Sequence, residues 1–152
     1  NIDITGKLDN QSNLYAKGNV IVGSDAKNTG QLISEGILKI QGNLNTENIV
    51  YGKENINIFG YLYNTSDMQS EGNIKVGSNL TNKGRILTDN ILNIGGITVN
   101  EGTLYGKNRI NLQGLTNTEN IKTTGDITAL NTLNAGTVIG HFDVMLSITC
   151  AF

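Results

Sequence analysis

An aliphatic residue returns every 18 positions along this chain: Ile2, Val20, Leu38, Ile56, Ile74, Leu92 and Ile110. Two residues further on runs a second series, Ile4, Val22, Ile40, Ile58, Val76, Ile94 and Leu112. Two further again, Gly6, Ser24, Gly42, Gly60, Ser78, Gly96 and Gly114 mark where the chain must turn. Eight residues past Ile2 lies a polar series, Asn10, Asn28, Thr46, Asn64, Asn82 and Asn100. After Gly114 one residue drops out, and Leu115, Asn117, Ile121 and Ile127 carry the frame one place early. This reads as a single-residue deletion in a turn.

A finer beat lies inside the 18. Steps of six from position 2 to position 122 visit 21 positions, of which 18 are apolar, where a 38% apolar composition would give about 8. Each anchor sits in an alternating in–out stretch, and alternation has the period of a strand rather than of an amphipathic helix. The pattern predicts three short strands per 18-residue coil, with a corner after each. A single such unit cannot bury its apolar side and becomes stable only by stacking on its neighbours. The expected fold is therefore all-β, a single parallel β-solenoid over 1–136 of about eight coils, roughly 38 Å long at 4.8 Å per coil. The polar residue of each coil is placed to stack on its copies, its side chain bonding turn backbone and the next coil. Left-handed hexapeptide helices want a small residue after each aliphatic anchor. Here Asp3, Ile21, Lys39, Asn57, Lys75, Asn93 and Asn111 follow, which favours the right-handed form.

Composition agrees and narrows the function. The chain has 19 Gly and no Pro in 152 residues, suiting short strands joined by turns in which every backbone N–H is used. A formal charge of −2 supplies no basic field for nucleic acid or anionic lipid. No stretch reaches the length of a transmembrane helix, and Cys150 alone excludes an internal disulfide and a multi-cysteine metal cluster.

Units such as "GNIKVGSNLTNKGRILTDN" (72–90) and "EGILKIQGNLNTENIVYGK" (35–53) resemble the filamentous haemagglutinin repeats of large bacterial exoproteins secreted by the two-partner route. The likeness covers about residues 1–135 and rests on seven consecutive copies. The family's amino-terminal secretion domain carries Asn-Pro motifs such as NPNG and NPNL; a chain without Pro looks like a piece of the repetitive shaft. The resemblance implies a secreted, cell-surface adhesin fragment that passes an outer-membrane transporter. It implies as partner a glycan or protein on a host or neighbouring cell, and lateral or end-to-end self-association fits a rod. The first residues lie in mid-pattern, which argues that the natural protein continues upstream.

Solenoids also host carbohydrate lyases and hydrolases, which need carboxylates gathered on adjacent coils. Position 3 of the coil carries one carboxylate, Asp3, and position 9 (Asp9, Lys27, Asn45, Tyr63, Thr81, Val99) also one. Asp67 and Arg85 occupy the same place on successive coils and read as a stacked surface ion pair. No catalytic constellation, metal site or cofactor motif emerges. His141 reads as a tail or packing residue. Position 17 (Lys17, Glu35, Lys53, Glu71, Asp89, Lys107) nearly alternates in sign and predicts an electrostatic ladder that fixes register. Residues 137–152 leave the repeat and are expected to form an irregular apolar tail, either a cap or a foreign segment.

The best candidate binding surface is the outward row at position 15, joined by the aromatics of the fourth coil. Its aromatic members are Tyr15, Tyr51 and Tyr105, with Ile33, Gln69 and Leu87 between them. In the fourth coil Ile58, Gly60 and Leu62 face inward, which turns Phe59, Tyr61 and Tyr63 out. Exposed aromatics stack on sugar rings or anchor protein partners. Stacked Tyr and Ile also support each other along a sheet face, and that scaffold role is the alternative.

Overall fold

The computed structural model describes residues 1–117, 119–130, 132–134 and 137–145. They form strands and turns with no helix, in about seven stacked turns of a parallel β-solenoid. The second coil shows the unit: strands Val20–Val22, Ala26–Asn28 and Leu32–Ser34, each separated by a corner. Each strand pairs in parallel with its counterpart 18 residues away, as Val20 does with Ile2 below and Leu38 above. Three ladders result, one for each strand of the coil.

Alternation places two residues of each short strand inside. In the first-strand ladder both are aliphatic; Val20, Leu38, Ile56, Ile74, Leu92, Ile110 and Ile127 are all 0% exposed. The second-strand ladder pairs Leu44, Leu62 and Leu80 with a buried polar row, Asn28, Thr46, Asn64, Asn82 and Asn100. These amides do not face water. Asn10 Nδ2 donates to Asn28 Oδ1 at 2.6 Å, and Asn28 Nδ2 to Thr46 Oγ1 at 3.1 Å. Asn64 Nδ2 donates to Asn82 Oδ1 at 2.8 Å, and Asn82 Nδ2 to Asn100 Oδ1 at 2.9 Å. Thr46 spends its own proton on Asn48 O at 2.7 Å, so the chain of amides is cut in two between Thr46 and Asn64. The remaining amide protons go to corner carbonyls, as from Asn82 to Gly84 O at 3.0 Å, so the burial is compensated.

The corner glycines have a reason the periodicity did not reveal. Asn43 Oδ1 accepts the Tyr61 N–H of the next coil at 2.9 Å, and a Cβ on Gly60 would overlap that oxygen. The same cap, an Asx side chain on the backbone of the next coil, recurs from Asn1, Asn19, Asp25, Asn55 and Asn79. In each case the residue 17 places on is glycine: Gly18, Gly36, Gly42, Gly72 and Gly96. Where the earlier residue at these two corners is not Asx, Ser24 follows Lys7, Ser78 follows Tyr61, Glu54 follows Ile37 and Asn108 follows Ile91. The exception is Asn73, followed by Asn90, and its bond to Ile91 N is longer at 3.2 Å. At these two corners the corner residue answers the side chain beneath it. At the corner between the second and third strands, Gly30, Gly84 and Gly102 lie against the backbone carbonyls of Ser12, Ser66 and Gly84 instead.

Three expectations are corrected. The dropped residue lies before Gly114: Ile94 pairs with Leu112 but Ile97 with Gly114, so Gln113 alone opposes Gly95 and Gly96. Residues 137–145 are not irregular. Thr137–Met145 is a strand in register with Asn120–Leu130, with Thr123, Thr124 and Gly125 opposed by Gly140 alone. That coil is shortened rather than abandoned, which hides it from an 18-residue frame. Residues 146–152, Cys150 among them, lie outside the described residues, as does the His141 side chain. Third, among the described residues the position-17 row makes no Lys–carboxylate pair at ion-pair distance. Its glutamates turn to tyrosines instead.

Candidate functional site

Those tyrosines belong to the position-15 row, on the outer face of the third-strand ladder. Tyr15 is 50% exposed, and Tyr51 and Tyr105 are half-buried in the same row. The Tyr15 hydroxyl donates to Glu35, and the Tyr51 hydroxyl to Glu71 Oε1 at 2.6 Å. Hydrogen bonding to the carboxylate holds the Tyr15 phenol above its ordinary range and, with some burial, pushes Tyr51 up to about 12. A carboxylate one coil on and two residues along reaches back to the ring hydroxyl, and this contact displaces the expected Lys–Glu ladder. Tyr15 and Tyr51 are thereby braced parts of the sheet face.

Phe59, Tyr61 and Tyr63 lie elsewhere, around the corner between the first and second strands of the fourth coil. They do not continue the position-15 row, which is carried by a different ladder. Phe59 is 54% exposed, with Lys39 Nζ 5.4 Å from its ring centroid, a cation–π contact. Tyr61 is 48% exposed, and Tyr63 is half-buried beside Asn45, its register partner.

Tyr61 closes one end of a feature that apolar periodicity could not show. An open trough of about 300 Å³ runs along the second-strand face of the first four coils. One side is the position-7 row, Lys7, Asp25, Asn43 and Tyr61; the other includes Asp9, Lys27 and Asn45 of position 9. The position-7 row is built contact by contact. Lys7 Nζ lies 3.8 Å from Asp25 Oδ2, Asp25 Oδ1 accepts Asn43 N–H at 2.9 Å, and Asn43 Oδ1 accepts Tyr61 N–H. In the other row the Asn45 Oδ1 is buried and has no hydrogen-bond partner. The signal was in the sequence as Asp25 and Asn43 of position 7, whose side-chain oxygens are held by the backbone N–H groups of the next coil.

The Asp67–Arg85 pair forms as the spacing predicts, with Arg85 Nε 2.8 Å from Asp67 Oδ1 and a second contact of 2.5 Å. The guanidinium holds the Asp67 carboxyl below its ordinary value. Among the described residues no group of three or more His, Cys, Asp or Glu is arranged to hold a metal ion. No protein family, curated protein or solved structure matches this chain.

Proposed function

We propose that this chain is part of the shaft of a secreted bacterial surface adhesin, a rod that carries attachment surfaces away from the cell. The observation that carries the reading is the exposed aromatic corner of the fourth coil, where Phe59 and Tyr61 stand half in solvent on a mostly polar surface. An aromatic left in water on a rigid sheet costs little ordering when a partner covers it. The repeat resemblance and the solenoid architecture support the same reading. The partner is a surface glycan or protein of another cell, and no catalytic step is assigned.

A second reading is favoured by a specific observation. Tyr15 and Tyr51 are braced by Glu35 and Glu71, as scaffold residues would be. On that reading the segment is a passive spacer of a large exoprotein. Beads carrying the purified segment separate the two. Attachment to cells that weakens in the Tyr61→Ser/Tyr63→Ser variant, with circular dichroism unchanged, supports the adhesin reading. Beads that never attach support the spacer. New reducing ends or unsaturated products from a polysaccharide panel would defeat both in favour of a solenoid carbohydrate-active enzyme.

A further inference from the structure

Two outward rows run up the second-strand face, position 7 at the corner and position 9 in mid-strand. Coil by coil, their residues match in kind. The first coil has Lys7 and Asp9, and the second Asp25 and Lys27. The third has two amides, Asn43 and Asn45, and the fourth two phenols, Tyr61 and Tyr63. The fifth has Asn79 and Thr81, and the sixth two aliphatics, Ile97 and Val99. All reach solvent, and Ile97 is 59% exposed. Over these six coils no other pair of neighbouring outward rows matches in this way. Beside the position-15 row lies position 17, where Tyr15 stands next to Lys17, Ile33 next to Glu35 and Leu87 next to Asp89. Those rows stack just as regularly, so folding of the single chain does not demand the match.

We propose that two copies of this chain pair through their second-strand faces, side by side, parallel and level. A two-fold axis along the rods then sets the position-7 row of each copy against the position-9 row of the other. Lys7 faces Asp9 of the second copy and Asp25 faces its Lys27, each in both directions, so opposite charges meet four times. Tyr61 faces Tyr63, and Ile97 faces Val99. The open trough between the rows leaves room for the second copy's lysine and tyrosine side chains. Other arrangements lose this fit. A slip of one coil puts Lys7 against Lys27 and Asp9 against Asp25, and like charges in contact repel. Antiparallel pairing over all six coils lays the charges of the first coil on Ile97 and Val99 of the sixth. The face is roughly 29 Å long at ~4.8 Å per coil and two side chains wide. That is smaller than the ~800 Å² per partner of a standard interface, so the pair is weak and reversible. The inference goes beyond the adhesin reading and holds equally for an attaching rod and for a spacer.

Sedimentation equilibrium from dilute to near-millimolar protein should show a reversible monomer–dimer equilibrium. Lys7→Glu and Asp9→Lys each put like charges across the axis at exposed positions, and circular dichroism checks that both variants fold. Each should weaken pairing about tenfold, two attractions having become two repulsions. An equal mixture of the two variants restores opposite charges at both contacts and should regain wild-type strength, which a purely structural defect would not. Ile97→Ser should also weaken pairing about tenfold, and mixing with either charge variant should not rescue it. Spin labels placed singly at Gln11→Cys, Thr65→Cys and Glu101→Cys, each with Cys150→Ser, report the register. Level parallel rods give one common distance between labels at the first, fourth and sixth coils; antiparallel rods cannot. The proposal is overturned if the protein stays monomeric at near-millimolar concentration, if the mixture pairs no better than either variant alone, if Ile97→Ser pairs like wild type, or if the three label distances differ.

Discussion

Replacing Gly60 by Ala should harm this protein much more while Asn43 is present than after it has gone. The Asn43 Oδ1 occupies the space a Cβ on Gly60 would need, and it holds Tyr61 N–H at 2.9 Å. Gly60→Ala alone therefore expels the amide, with loss of a hydrogen bond of about 1 kcal/mol. Residual overlap adds to that, and the stiffer unfolded chain returns about 0.4–1 kcal/mol. Asn43→Ala alone forfeits the same bond. In the double variant the bond is counted once, and the added methyl still meets the Gly42 carbonyl group, whose atoms lie 2.8 Å from the ideal Cβ. That approach exists in both backgrounds and cancels in the cycle. The double variant should thus be more stable than the sum of the singles by roughly 1–2 kcal/mol, above the ~0.3–0.5 kcal/mol at which independent sites add. Urea unfolding followed by far-ultraviolet circular dichroism measures all four proteins, and amide exchange at Tyr61 reports the bond directly. Additive effects, or a Tyr61 amide protected equally in Gly60→Ala and wild type, would refute the account of the glycine rule.

Other consequences are as direct. Thr98 Oγ1 is buried without a hydrogen-bond partner between Leu80 and Leu115 in the second-strand ladder, so isosteric Thr98→Val should stabilise by about 1 kcal/mol, read as a higher urea midpoint at unchanged slope. A lower midpoint would mean that the hydroxyl has a partner. Ile56→Asp places a charge at a 0% exposed site, and the soluble protein should lose its β-sheet circular dichroism signal. Tyr51 should ionise near pH 12 in absorbance at 295 nm, and Glu71→Gln should bring it back toward 10. Its folded value is raised, so the stability it lends is complete below pH 10 and is lost as pH climbs toward 12. An unmoved Tyr51 titration in Glu71→Gln would exclude the bond.

The architecture was legible because burial repeats. Ile56 must be aliphatic for the same reason as Leu38 and Ile74, and a row of seven such positions outweighs any single ambiguous residue. What escaped the reading depends on pairs rather than rows. Gly114 looks like a corner glycine of the series, yet the ladder shifts before it, because Gly95 and Gly96 can crowd opposite Gln113 alone. The strand Thr137–Met145 was hidden by a coil two residues shorter than its predecessor, which moves every later side chain out of frame. Glu35 and Glu71 were assigned to lysines by charge, but a phenol hydroxyl in the preceding coil lies within their reach. At the trough, Tyr61 stood out as an exposed aromatic, while the buried Asn45 oxygen could not be foreseen from an outward-facing position. The glycine rule at two of the three corners is written at a spacing of 17, one short of the 18-residue coil.

Pairing each strand only with the neighbouring coil has a mechanical consequence. Tension on one end loads a single turn, because no ladder bond skips a coil. A turn of 18 residues pulled straight frees roughly 60 Å of chain while shortening the rod by only ~4.8 Å. An optical trap holding the segment by its ends should therefore record evenly spaced lengthening steps of ~55 Å. Each step leaves behind a fresh sheet edge of nearly the same shape as the last, on which the slack can rewind when the load falls. Such a rod would yield under shear one turn at a time instead of snapping.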